Sequence, residues 1–119
     1  MREPYVHEAT VAMGPEGDVQ GPGAAITLEL CGSWEHRPPC PLAAHHTQAL
    51  RDGETVLLRV VFATEPEHEN DVRRRIDRAL RTGSVTGPDG ITTQWEFRAG
   101  KAGTLSPAEA DHGRRIAGT

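Results

Sequence analysis

The sequence has few cysteines, little lysine and no long apolar segment, and each shortage excludes a class of protein. Two cysteines in 119 residues are too few for a scaffold held by several disulfides. No apolar run is long enough to cross a bilayer, so we expect no membrane-spanning segment. The 13 basic residues, of which only Lys101 is lysine, are outnumbered by 17 acidic ones, giving a net charge of −4. That balance disfavours a nucleic-acid partner.

The length of the chain allows one domain with a single core. We assign residues 1–105 to that domain and residues 106–119 to a C-terminal tail that begins as a short helix and then frays. The first residues lack the apolar stretch of a secretory signal, which predicts a cytoplasmic protein. Neither a phosphate-binding glycine loop nor a G-x-S-x-G elbow is present, so the usual nucleotide-binding and hydrolase motifs are missing.

Three segments alternate between polar and apolar residues with the period of a strand: residues 5–13, 25–34 and 55–63. The third is the richest in β-branched and aliphatic residues, and turn-forming residues flank it on both sides. It therefore has the pattern of a central strand. Its predicted core face consists of Val56, Leu58, Val60 and Phe62.

One segment, residues 65–81, has the pattern of an amphipathic helix. Thr64 and Glu67 have the spacing of a capping box at its start, and Gly83 provides a stop signal after its end. Its apolar stripe should lie against the central strand. We expect the middle of the core to contain Leu58, Val60, Phe62, Ile76 and Leu80.

The remaining segments predict a hairpin and a second, shorter helix. Residues 84–86 and 91–97 flank a Gly-Pro-Asp-Gly turn signal. Ser106 and Glu109 form a second capping-box pattern, which favours a short helix over residues 107–112. The predicted order is β-β-β-α-β-β. The fold class is α+β, a mostly antiparallel sheet of four or five strands with one main helix on one face and a short C-terminal helix.

The second face of the predicted sheet is also apolar. Leu57, Val61 and Ala63 alternate with the core residues of the third strand and point to the opposite side. A single main helix cannot cover both faces, so the C-terminal helix or a second copy of the chain should cover this one. We expect a homodimer.

One segment, residues 31–46, concentrates the side chains that zinc prefers. It holds both cysteines and three of the six histidines in a proline-rich stretch. Thiolate sulfur and imidazole nitrogen are zinc ligands, and an ion bound by four of them would order a loop that has little apolar surface. The predicted metal ligands are Cys31, His36, Cys40 and one of His45 and His46.

Three alternatives to a closed structural zinc site stay open. Cys31 and Cys40 could instead form a local disulfide, or they could have unrelated roles. If only three protein ligands bound the metal, a water would fill the fourth position and Glu35 would be the nearest general base. We expect a small zinc-binding protein that acts as a binding or interaction module, with a metal-dependent hydrolase as the alternative.

The arginines of the predicted helix do not require a nucleic-acid partner. Acidic residues precede several of them by four positions, an arrangement that stabilises a helix and neutralises its surface. The predicted pairs are Glu69 with Arg73, Asp71 with Arg75 and Asp77 with Arg81.

Overall fold

Six strands and three helices form an α+β fold in the computed structural model, which describes residues 2–31 and 43–117. The strands are β1 (Glu3–Ala12), β2 (Ala44–Asp52), β3 (Thr55–Thr64), β4 (Ser84–Thr86), β5 (Thr92–Gln94) and β6 (Glu96–Ala102). The helices are α1 (Gly21–Cys31), α2 (Glu69–Arg81) and α3 (Pro107–Ala117), and a short 3-10 helix (Pro66–His68) precedes α2.

The main sheet is antiparallel, with the strand order β2-β3-β1-β6, while β4 and β5 form a separate two-stranded ribbon. Strands β1 and β2 are joined through α1 and are separated in the sheet by β3, which is a split β-α-β arrangement. This topology confirms the predicted fold class. It also makes β2 and β6 the two edges of the sheet.

The core lies between the sheet and the helix pair α1 and α2. Residues of both helices belong to one buried cluster with the even-numbered side chains of β3. Every residue predicted for the middle of the core is fully buried: Leu58, Val60, Phe62, Ile76 and Leu80.

The prediction of a strand at residues 25–34 is wrong, because α1 occupies residues 21–31. The apolar residues of this segment fit two periods at once. Ile26 and Leu30 are two residues of an alternating pattern but are also four apart, and both are buried on the inner side of α1. Pro22 near the helix start is buried one turn earlier on the same side.

Strand β2 was not predicted, because its residues lack an apolar run. It is an edge strand whose side chains alternate between half-buried and exposed. The predicted capping box at the start of α2 is also wrong. Thr64 remains in β3, and α2 begins only at Glu69, with His68 as an N-cap whose side chain makes no capping hydrogen bond.

The second predicted capping box is confirmed. The backbone N–H of Ser106 donates to Glu109 Oε1 at 2.9 Å, and the N–H of Glu109 donates to Ser106 Oγ at 3.2 Å. The helix that it starts extends to Ala117, beyond the predicted residue 112.

Helix α3 packs on the outer face of the sheet, against β1, β2 and β3. It covers Val61, which is 4% exposed, but it leaves Leu57 37% exposed and Leu50 64% exposed. The outer face is therefore covered only in part by the described residues. No helix in the described part of the chain is long and apolar enough to span a bilayer.

Candidate functional site

The candidate metal site lies where α1 ends and β2 begins. Cys31 is the last residue of α1 and His45 is the second residue of β2, so both are placed by regular structure. Two other predicted ligands, His36 and Cys40, and the candidate base Glu35 lie outside the described residues.

Cys31 and His45 are brought together by this junction. Cys31 Sγ lies 3.9 Å from His45 Nδ1. A thiolate sulfur and an imidazole nitrogen bound to one tetrahedral zinc ion are separated by roughly 3.5 Å, given the usual metal–ligand bond lengths. Cys31 is disulfide-bonded in this structure, so its sulfur could bind a metal only after reduction.

The ring of His45 is held by two oxygen atoms. Its Nε2 lies 3.0 Å from Thr27 Oγ1 and its Nδ1 lies 3.1 Å from the carbonyl oxygen of Ala43. The Ala43 carbonyl oxygen can only accept, so its hydrogen bond requires a proton on Nδ1. Metal binding through Nδ1 would replace this hydrogen bond, and the proton would then lie on Nε2, which would donate it to Thr27 Oγ1. A metal-binding histidine is typically oriented in this way by a hydrogen bond from its other nitrogen.

His46 lies on the opposite face of the sheet from His45, because successive side chains of a strand alternate. Its ring is exposed and lies next to His112 of α3, with 5.3 Å between the ring centroids. Of the two adjacent histidines, His45 is therefore the one placed beside Cys31.

An open groove adjoins His45 along the edge of the sheet, with a volume of about 380 Å³. Among the described residues, the buried Oγ1 of Thr47 has no hydrogen-bond partner. The groove is lined by Gln20, Gly23, Ala24, Thr27, His45, His46 and Thr47.

A second polar cluster, around His7, was missed by sequence reasoning. His7 is 2% exposed, and its Nε2 lies 2.8 Å from Asp77 Oδ1. Arg73 Nη1 lies 3.2 Å from His7 Nδ1 and also donates to the Val6 carbonyl at 2.7 Å. Both ring nitrogens are engaged and the ring is buried, so this cluster links β1 to α2.

Two of the three predicted ion pairs on α2 are confirmed. Arg73 donates to Glu69 at 2.9 Å and Arg75 donates to Asp71 at 3.0 Å. The predicted pair between Asp77 and Arg81 is wrong. Asp77 faces the sheet and contacts His7, and the Arg81 guanidinium lies over the ring of Phe97 at 5.4 Å.

Comparisons with protein-family models, curated proteins and solved structures give no significant match. Within the described residues, no group of three or more histidine, cysteine and acidic side chains is arranged to hold a metal ion. A metal site at the α1–β2 junction therefore depends on the predicted ligands between these two elements as well as on Cys31 and His45.

Proposed function

We propose that the protein is a small zinc-binding interaction module whose metal site joins the end of α1 to the start of β2. The ligands are Cys31, His45 and the two predicted residues between them, His36 and Cys40. The observation that carries the proposal is the distance of 3.9 Å between Cys31 Sγ and His45 Nδ1. Four such ligands close the coordination sphere and give the metal a structural role.

The proposal makes the disulfide and the zinc ion alternative states of Cys31. Reduction by a dithiol, which is itself oxidised to a disulfide, delivers two electrons to the sulfur–sulfur bond and yields two thiols. Zinc binding then releases their protons, because the thiolate is the ligand. This chemistry belongs to a reducing compartment, so the proposal includes a cytoplasmic location.

The direct test is the zinc content of protein purified under reducing conditions without chelator. We expect about one zinc ion per chain, by elemental analysis, since the four ligands form one tetrahedral site. Cys31→Ser and His45→Ala should each lower the zinc content. Oxidation of the metal-free protein to the disulfide form should lower the zinc uptake by one ion per chain, because the sulfur of Cys31 is then no longer a ligand.

One matched variant serves as the control for this experiment. His68→Ala removes an exposed histidine before α2, away from the α1–β2 junction, so it should retain the zinc. Reduced protein without zinc, or an unchanged zinc content in both Cys31→Ser and His45→Ala, would contradict the proposal.

The groove beside His45 favours one alternative function, a metal-dependent hydrolase with Glu35 as the base. A hydrolase needs an open coordination position, whereas the proposed module has none. Reduced protein reconstituted with Co²⁺ distinguishes them. Added azide should leave the visible spectrum of a closed four-ligand site unchanged and should alter that of an open site.

We also propose that the module is a homodimer. The residues that suggest it are Leu50 and Leu57, which are paired across β2 and β3 and are exposed on the part of the outer face that α3 leaves open. Burial of such a pair against the same pair of a second copy gives a symmetric apolar contact.

A further inference from the structure

Two histidines that are far apart in the sequence meet on the outer face of the sheet. His46 lies on the edge strand β2 and His112 lies on α3. Their ring centroids are 5.3 Å apart and their ring planes are inclined by 50°. Two imidazoles that bind one tetrahedral ion have ring centres about 5 Å apart, as follows from metal–nitrogen bonds of about 2 Å.

Helix α3 is fixed on the sheet by other contacts, and these place His112. Arg59 of β3 donates to both carboxylate oxygens of Glu109, at 2.8 and 2.7 Å. Gly113 packs against Pro4 and Val61, where a side chain would collide with Pro4. The two imidazoles are thus carried by elements already packed together, which lowers the ordering cost of binding one ion with both.

The acidic side chains next to His112 are engaged with arginines. Glu109 is bound by Arg59, and Asp111 pairs with Arg115 at 2.5 Å. His46 is exposed and His112 is half-buried, so a hydrated ion can reach the pair from solvent. The pair therefore offers nitrogen ligands, which suit borderline divalent ions such as Cu²⁺, Ni²⁺ and Zn²⁺.

We propose that His46 and His112 form a second site for a divalent transition-metal ion, which clamps α3 onto β2. The two imidazoles bind the ion and water completes its coordination. The site is separate from the Cys31 site, since His45 and His46 lie on opposite faces of the sheet. It goes beyond the proposed zinc module and does not depend on it.

Titration of the disulfide form with Cu²⁺ tests the proposal. Cu²⁺ is the tightest-binding of the common divalent ions, and the disulfide form has no thiol to compete for it or reduce it. We expect pulsed electron paramagnetic resonance to detect two imidazole nitrogens on the copper. His46→Gln and His112→Gln should each leave one and weaken binding at least about tenfold, because the second ligand binds intramolecularly.

The controls are His45→Ala and His68→Ala, which should leave the copper affinity and the two-nitrogen signal unchanged. Cu²⁺ should also raise the melting temperature of the unmodified protein more than that of either Gln variant, because it binds the folded state. A single imidazole on the copper, or an affinity unchanged in both His46→Gln and His112→Gln, would overturn the proposal. Since His45→Ala affects only the zinc module, failure of one proposal can be told from failure of the other.

Discussion

At the scale of single residues, the hydrogen bonds of the buried His7 depend on the size of a neighbouring residue. Its ring is sandwiched between the Asp77 carboxylate and the Arg73 guanidinium, and all three come from β1 and α2. Asp77 can approach the sheet because Gly100 of β6 has no side chain there. A Cβ at that position would collide with the Asp77 carboxylate. One glycine therefore allows a buried imidazole to keep its hydrogen bond.

Gly100→Ala should destabilise the protein by displacing Asp77 from His7. The carboxylate can move away from a new Cβ, but the buried imidazole then loses a partner, which costs about 1 to 2 kcal/mol. Urea unfolding at pH 7 measures the change. In an Asp77→Ala background the same substitution should cost under about 0.5 kcal/mol, because no carboxylate remains to be displaced.

Gly14→Ala is the matched control for this substitution, because a Cβ at Gly14 would meet no atom within 4 Å. It should change the free energy of unfolding by less than about 1 kcal/mol in either direction. An equal cost of Gly100→Ala in both backgrounds would show that the collision with Asp77 is not the cause.

At the scale of helices and strands, sequence reasoning succeeded where the apolar residues follow a single spacing, either that of a helix or that of a strand. The stripe of α2 has only helical spacing, and β3 is apolar enough to be recognised as a central strand. It failed at α1, where Ile26 and Leu30 fit both periods, and at β2, where a half-exposed edge strand carries little apolar signal. Local patterns also located the capping box of α3.

The candidate site was predictable only in part, for a related reason. The concentration of cysteine and histidine in residues 31–46 led to the prediction of a zinc site in this segment without any tertiary information, and the zinc site stays a prediction. The choice of His45 over His46 depends on the phase of β2, a strand that the sequence did not reveal. The contacts of His7 with Asp77 and of His46 with His112 join distant parts of the chain, so no local spacing indicates them.

The attachment of α3 to the sheet should be sensitive to acid. The hydrogen bonds from Arg59, followed by those from Ser106, lower the pKa of Glu109 from 4.5 to about 2. A carboxyl whose pKa is lower in the folded state stabilises that state above its unfolded pKa, and this contribution is lost as the pH falls from 4.5 to about 2.

Glu109→Gln should therefore lower the free energy of unfolding at pH 7 by about 1 to 2 kcal/mol, allowing for screening of a partly exposed pair. It should also reduce the further loss of stability between pH 4.5 and 2. Denaturant unfolding over this pH range is the measurement. Glu96→Gln, at an exposed carboxylate, should follow the unmodified protein, and an equally steep decline in Glu109→Gln would remove Glu109 as the cause.

For the whole molecule, the arrangement of the two sheet faces decides how much apolar surface remains for a partner. The inner face is closed by α1 and α2 together, so the extra helix that the sequence did not predict completes that side of the core. The outer face has only α3, which lies over Val61 and leaves the cross-strand pair of Leu50 and Leu57 exposed. The apolar surface left for self-association is thus smaller than the sequence suggested, but the exposed pair of Leu50 and Leu57 remains.

A charged side chain at Leu50 should break the proposed dimer, because the second copy of the chain would pack on Leu50 and Leu57. We expect sedimentation equilibrium at micromolar concentration to give the mass of two chains for the unmodified protein. Leu50→Glu should give the mass of one chain, because the dimer contact would bury an unpaired carboxylate against the same carboxylate of the second copy. Ile91→Glu is the control, since Ile91 is 65% exposed but lies beside the β4–β5 ribbon, so this variant should remain dimeric. A monomeric parent protein at this concentration, or a dimer that persists in Leu50→Glu, would rule out this interface.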